Sequence, residues 1–239
     1  MCTLSYIPTS KGYFFTSNRD EKQNRPAASL PDFHPYGEQT LWFPKDGLAG
    51  GTWFASSGNR HLCLLNGAFQ SHQRNPKGYL KSRGIVLLDA FAHLHLQDFA
   101  ERYSLLGIEP FTLVEAFSGS APLRELRWDG KRSAYREISP EKPTLWSSVT
   151  LYPEEQRARR SRWFDAFLEQ NPQPDWEDIL HFHRFTGEGD SRHSLVMEGP
   201  GTLRTLSITS IFHHAKTPEF YHLDLVNTIE SKGHVLQAI

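Results

Sequence analysis

Two stretches with helical spacing, 83–106 and 154–186, interrupt a chain that otherwise reads as short β-like runs, and this alternation restricts the fold more than any other feature. In the first stretch Val86, Leu87, Ala90, Phe91 and Leu94 recur at helical intervals, which predicts a helix over Ile85–His95 opened by Ser82-Arg83-Gly84. A second helix follows from Gln97 or Asp98 to Leu106. In the second stretch Glu154–Glu169 sets an apolar stripe (Trp163, Phe164, Phe167, Leu168) against a basic face (Arg157, Arg159, Arg160, Arg162), which reads as solvated. Asn171-Pro172-Gln173-Pro174 stops that helix, and another is expected over Asp175–Phe185. Around these blocks the β pattern covers Cys2–Ile7, Tyr13–Ser17, Thr40–Phe43, Gly50–Ser56, Arg60–Asn66, Phe111–Phe117, Leu123–Trp128, Ser133–Glu137, Leu145–Leu151, Ser194–Met197, Leu203–His213 and Glu219–Leu225. Residues 22–39 read as a surface loop and Asn227–Ile239 as an edge strand or tail. Such an order suits an α+β protein of two stacked antiparallel sheets with helices outside, and 239 residues suit a single domain over 1–239.

Charge and motif content exclude several functions. The formal net charge is −1 with no long run of one sign, so no nucleic-acid partner is expected. No window approaches 18 apolar residues in succession and no leader pattern opens the chain, which leads us to expect a soluble cytoplasmic protein without a membrane span. Its two cysteines, Cys2 and Cys63, are too few for a disulfide framework and read as reduced thiols. The pairs His93/His95 and His181/His183 are two apart on helices and point to different faces, so no metal site is expected. P-loop, GxGxxG, CxxC and HExxH patterns do not occur, so the expected chemistry uses no cofactor.

The chemistry concentrates in residues 1–21, MCTLSYIPTSKGYFFTSNRDE. Removal of Met1 would leave Cys2 with a thiol and a free α-amine, a nucleophile and a base on one residue. Their ordinary pKa values, about 8.5 and about 7.7–8.0, lie close to neutral pH. Pro8-Thr9-Ser10-Lys11-Gly12 reads as a turn between two strands, and a hairpin centred on Ser10 sets Asn18 opposite Cys2 with Arg19 and Asp20 just beyond. A guanidinium there favours the thiolate, and a carboxylate can orient the amine. Further along, His61-Leu62-Cys63-Leu64-Leu65 reads as a strand buried on both faces, which makes Cys63 an inert core thiol. Asn66 at its end is either the oxyanion donor or part of an ordinary Asn-Gly turn. The pair Gly50-Gly51 marks a bulge or the wall of a site, and Trp53 reads as core.

Met1-Cys2, Asn18-Arg19-Asp20-Glu21, Arg25-Pro26 and Gly50-Gly51-Thr52-Trp53, in that order, resemble the NRDE family, which includes the transport and Golgi organisation protein 2 group. That family is similar in turn to the N-terminal-nucleophile hydrolases, and the resemblance implies a four-layer αββα sandwich. The motifs fall mainly in residues 1–84. The resemblance also implies an oxyanion role for Asn66, a place for Arg83 at the mouth of the site, and a catalytic role for Arg204. Relatives carry an Asn after a Ser where this chain has Ser147-Ser148, so Ser148 offers a hydroxyl in place of a carboxamide. The catalytic expectation is therefore Cys2, Arg19, Asp20, Asn66 and Arg204, with Asn18, Trp53, Arg83 and Ser148 as substrate contacts.

Two functions fit these residues. One is a cysteine N-terminal-nucleophile hydrolase cleaving a non-peptide C–N amide of a small molecule, or a related acyl transferase. The other is a non-catalytic carrier that uses the same cleft for an apolar ligand.

Overall fold

The computed structural model describes residues 3–22, 24–119, 121–189, 191–198, 203–214 and 217–235. Cys2, the expected nucleophile, lies outside the described residues. Thirteen strands and four α-helices are described, β1 to β13 and α1 to α4 in chain order. One sheet runs β10 (Thr144–Ser147), β1 (Thr3–Thr9), β2 (Gly12–Lys22), β11 (Leu203–His214), β12 (Glu219–Asp224) and β13 (Ile229–His234). The second runs β3 (Asp32–Tyr36), β4 (Gln39–Phe43), β5 (Phe54–Ser56), β6 (Arg60–Asn66), β7 (Phe111–Phe117), β8 (Leu123–Trp128) and β9 (Ser133–Ile138). Every pairing is antiparallel.

Alternation along the strands builds four layers from three cores. On β6, Leu62 and Leu64 pack under α1 (Arg83–Asp89) and α2 (Leu96–Arg102), while Cys63 and Leu65 face the other sheet. Both faces are buried, which is why this strand reads as an unbroken apolar run. On β1, Leu4 and Tyr6 join Trp42, Trp53 and Phe54 between the sheets. Ile7 points outward with Phe14 to meet Phe164, Ile179 and Phe182 of α3 (Glu154–Gln170) and α4 (Trp176–Phe185). The order helices, sheet, sheet, helices is the expected αββα sandwich. Among the described residues, no helix is long and apolar enough to cross a membrane.

Several local expectations change. The β1–β2 hairpin turns through Ser10-Lys11, with Thr9 paired to Gly12 and Thr3 to Asn18, one position away from a turn centred on Ser10. Gly12 has a φ of 151°, and a Cβ there would meet the His213 carbonyl oxygen at 1.9 Å. A slip of one residue exchanges the faces of every side chain on the returning strand. Within the stretch read as a loop, Asp32–Tyr36 forms the edge strand of the second sheet, where Pro35 is tolerated because one side of the strand has no ladder to supply. The run from Gly50 pairs as a strand only from Phe54. A Cβ on Gly51 would lie 2.5 Å from the Gly84 carbonyl carbon, and one on Gly84 would lie 2.7 Å from the Thr52 carbonyl oxygen, so Gly51 and Gly84 together let the start of α1 press against residues 51–52. Residues Ser194–Met197 form a bend rather than the expected strand. Beyond Asp224, β13 closes the first sheet as an edge strand.

Candidate active site

The antiparallel pairing of β1 and β2 brings several expected site residues to one end of the first sheet. Thr3 begins the described part of β1 and is paired on one side with Asn18 and on the other with Ser147. Period two then divides the next residues of β2 between the faces. Arg19 faces inward. Its guanidinium stacks 4.0 Å from the centre of the buried Trp53 ring, and Nη2 donates to Asp46 Oδ2 at 2.5 Å. Asp46 also accepts from Arg25 (2.8 Å to Oδ1) and from the backbone N–H groups of Leu48 and Ala49. Burial alone would raise the Asp46 carboxyl, but the hydrogen bonds from Arg25 and Ala49 and the charges of Arg19 and Arg25 outweigh it and hold its pKa below the usual value. Glu21, next on the same face of β2, interacts with both guanidiniums, so two carboxylates match two cations here.

Asp20 takes the opposite face, where its buried carboxylate accepts from the Tyr152 hydroxyl and from Thr205 Oγ1 at 2.6 Å. A β-bulge between Thr205 and Ser207 of β11 lies directly across from Asp20 and Arg19. The same outer side holds Arg160, which is fully buried. Its guanidinium lies 3.8 Å over the Tyr152 ring and donates to Thr3 Oγ1 and to the Ser194 carbonyl. Arg160 therefore does not belong to a solvated face. With Gln156 and Phe164 it forms the buried i, i+4, i+8 stripe of α3, a spacing from Phe164 that the sequence carried.

Asn18 is not brought to the inner cleft. Its carboxamide is buried on the outer face, where Nδ2 donates to the carbonyls of His183 and Leu195, each at 3.0 Å, and Oδ1 meets His183 Nδ1 at 2.5 Å. The His183 carbonyl belongs to the last turn of α4, which has no partner within the helix, so Asn18 caps it. Because Oδ1 can only accept, His183 carries its proton on Nδ1, and Nε2 accepts from Ser5 Oγ at 2.7 Å. Burial, with the charge of Arg160, pushes His183 down to about 3 and keeps it neutral.

Asn66 and Ser148 meet where the two sheets open. Ser148 Oγ donates to the Asn66 backbone carbonyl at 2.8 Å and accepts from Leu151 N at 3.3 Å. Its proton is thus committed to fixing the end of β6. Among the described residues, none hydrogen-bonds the Asn66 carboxamide, which lines a cleft of about 300 Å³. Arg127, Arg136, Glu154 and Arg157 line the same cleft. Gly67 makes the turn out of β6 with φ 81°, and a Cβ there would strike Thr150 Oγ1 at 2.3 Å.

The remaining expected residues lie elsewhere. Arg204, opposite Glu21, shares a smaller pocket of about 70 Å³ with Arg19, Arg25, Ser207, His222 and Asp224. Arg83 donates to the Pro110 carbonyl at 3.1 Å and pairs with Glu109 at 3.3 Å, outside the residues lining either pocket. Cys63 is buried with its thiol pushed up to about 12 by desolvation, as an inert core cysteine should be. Among the described residues no group of His, Cys, Asp and Glu side chains could hold a metal ion.

The family model described as Transport and Golgi organisation 2 matches residues 1–180, a span that holds Asn18–Asp20, Trp53, Asn66, Arg83 and Ser148 and stops short of Arg204. A search of curated proteins finds no match to the chain. The chain belongs to the Transport and Golgi organisation 2 family.

Proposed function

We propose that this member of the Transport and Golgi organisation 2 family is a cysteine N-terminal-nucleophile hydrolase that cleaves a non-peptide C–N amide, with Cys2 as nucleophile after loss of Met1. One observation carries the reading. The start of β1 sits beside the buried guanidinium of Arg19 on the inner face and is linked through Ser147 and Ser148 to an Asn66 carboxamide open to a cleft. For this chemistry Cys2 must extend β1 by one position, on the face that Leu4 and Tyr6 present to the second sheet. A terminal residue has two groups to direct, a thiol and an amine, and the faces of the strand offer Arg19 to one and Asp20 to the other.

The thiol proton passes to the α-amine as Sγ attacks the carbonyl carbon, and the negative charge moves to the carbonyl oxygen. Asn66 Nδ2 donates to that oxygen; one such donor contributes about 2.7–4 kcal/mol to transition-state stabilisation. Collapse breaks the C–N bond, and the departing nitrogen takes its proton from the α-ammonium. Water then attacks the thioester while the amine accepts its proton and returns one to sulfur. Arg19 favours the thiolate, Asp20 orients the amine, and Arg204 adds positive charge from the adjoining pocket. Ser148 acts as a positioning residue because its hydroxyl proton holds the Asn66 carbonyl. The arginines and hydroxyls of the cleft suit a polar substrate better than the apolar ligand of a carrier.

The test is labelling by an amide- or lactone-based thiol probe, read by intact mass. Wild type should lose Met1 and gain one acyl group, whereas Cys2→Ala should fold normally and gain none. Equal labelling of both proteins, or a retained Met1 in a protein that still turns over, would overturn the proposal.

A further inference from the structure

We infer that the cleft at the end of β6 receives an amide that carries a carboxylate, and that Arg157 is the residue that holds the carboxylate. This rests on the acyl-transfer reading of the cleft, but the binding step itself does not need Cys2.

The charges lining the cleft are unequally matched. Arg127 and Arg136 both grip Glu125, Arg127 with bonds of 2.8 and 3.0 Å and Arg136 with bonds of 2.7 and 2.9 Å. Trp146 Nε1 donates to the same carboxylate at 2.7 Å, so Glu125 is saturated and buried. Two cations on one anion leave a positive charge on that wall. Arg157, on the facing side of the cleft in α3, makes no side-chain hydrogen bond or ion pair to any described residue, and its Nε is buried without a partner. Arg159, two residues on, is paired with Glu155 at 3.7 Å away from the cleft. Glu154 contributes one exposed negative charge to the lining, which leaves the cleft net positive.

A buried donor without an acceptor is costly, and a carboxylate is the acceptor whose two oxygens match the guanidinium fork. The opposite wall offers the Asn66 carboxamide, so a single small molecule can present its carbonyl to Asn66 and its carboxylate to Arg157. The volume of about 300 Å³ lies at the small end of ligand sites and favours a short amide over a long chain.

The experiment titrates full-length wild type, Cys2→Ala, Arg157→Gln, Arg157→Lys and Arg159→Gln by calorimetry. The probes are N-acetylglycine, its neutral carboxamide, and the phosphonate N-acetylaminomethylphosphonate. Wild type and Cys2→Ala should bind N-acetylglycine about tenfold or more tightly than the carboxamide. Arg157→Gln should abolish that preference and Arg157→Lys should keep part of it. Arg159→Gln, which removes the same charge from the same helix, should leave it unchanged. Equal affinity for N-acetylglycine and the carboxamide, or an unchanged preference in Arg157→Gln, would overturn the inference. Tighter binding of the phosphonate would overturn the choice of carboxylate. Loss of acyl-enzyme with anion binding intact would count against the nucleophile alone.

Discussion

Replacing Asn18 by Ala should unfold this protein more readily without emptying its cleft. The carboxamide makes three buried hydrogen bonds, two donated to the His183 and Leu195 carbonyls and one accepted from His183 Nδ1. Alanine leaves an imidazole N–H and two carbonyls facing one another in a region closed to water. Each stranded group costs about 1–3 kcal/mol, and the two carbonyls fall at the lower end because a carbonyl tolerates partial satisfaction better than an N–H does. The sum is about 3–5 kcal/mol, before any loss from the cavity. For a domain of 150–250 residues that corresponds to a fall in Tm of roughly 6–20 °C. Urea unfolding followed by tryptophan fluorescence would measure it, with calorimetric binding of N-acetylglycine as the companion readout. A stability loss below about 1 kcal/mol together with lost ligand binding would refute the structural role and return Asn18 to the substrate.

Gly51→Ala should destabilise by about 1–3 kcal/mol, because the new Cβ meets backbone at 2.5 Å that cannot swing aside; an unchanged urea midpoint would contradict the close-packing account of the glycine pair. Acid should weaken the fold through histidines held neutral by burial, with His183 pushed down to about 3 and His213 and His222 to about 4. The unfolded chain takes up their protons near pH 6.5, so this stability is complete above about 6.5 and is lost as pH falls from there towards the folded values. His183 alone should give a slope of about 1.4 kcal/mol per pH unit in that window, and a flat stability profile between about pH 7 and 5 would refute it. Cys63 should resist iodoacetamide in the native protein at about pH 8.5 and react fully in urea, since burial pushes its thiol up to about 12. Mass mapping that finds native Cys63 alkylated would contradict that.

The central strands were the most legible part of the fold. Arg60–Asn66, Phe111–Phe117 and Leu123–Trp128 have the bounds read from the sequence: the first two are buried nearly throughout, and in the third Leu123, Leu126 and Trp128 are buried while Arg124 and Arg127 are partly exposed. Edge and contact-driven elements were less legible. Asp32–Tyr36 is largely exposed and contains a proline, so it carries little β signal of its own and exists through its hairpin with Gln39–Phe43. Ser194–Met197 has the composition of a strand, but Leu195 is drawn into the α3–α4 core and its carbonyl accepts from Asn18, which holds a bend there.

At the candidate site the types of residue were legible and their partners were not. Arg19 and Asp20 adjoin in sequence, and strand geometry alone requires them to serve opposite faces. Which residue serves which face depends on whether the hairpin turns at Ser10 or between Ser10 and Lys11, a choice settled by Gly12 pressing against the His213 carbonyl across the next strand. The partners that give each face its character are remote in the chain. Asp46 and Trp53 reach Arg19 from the segment between β4 and β5, while Tyr152 and Thr205 reach Asp20 from the outer side, with Arg160 stacked on Tyr152. Motif spacing can therefore nominate the end of β1, but the sign of the charge on each face follows from strand pairing and helix docking. The same holds for Arg157, whose significance comes less from its place in a basic helix than from Glu125 being saturated by two other arginines across the cleft.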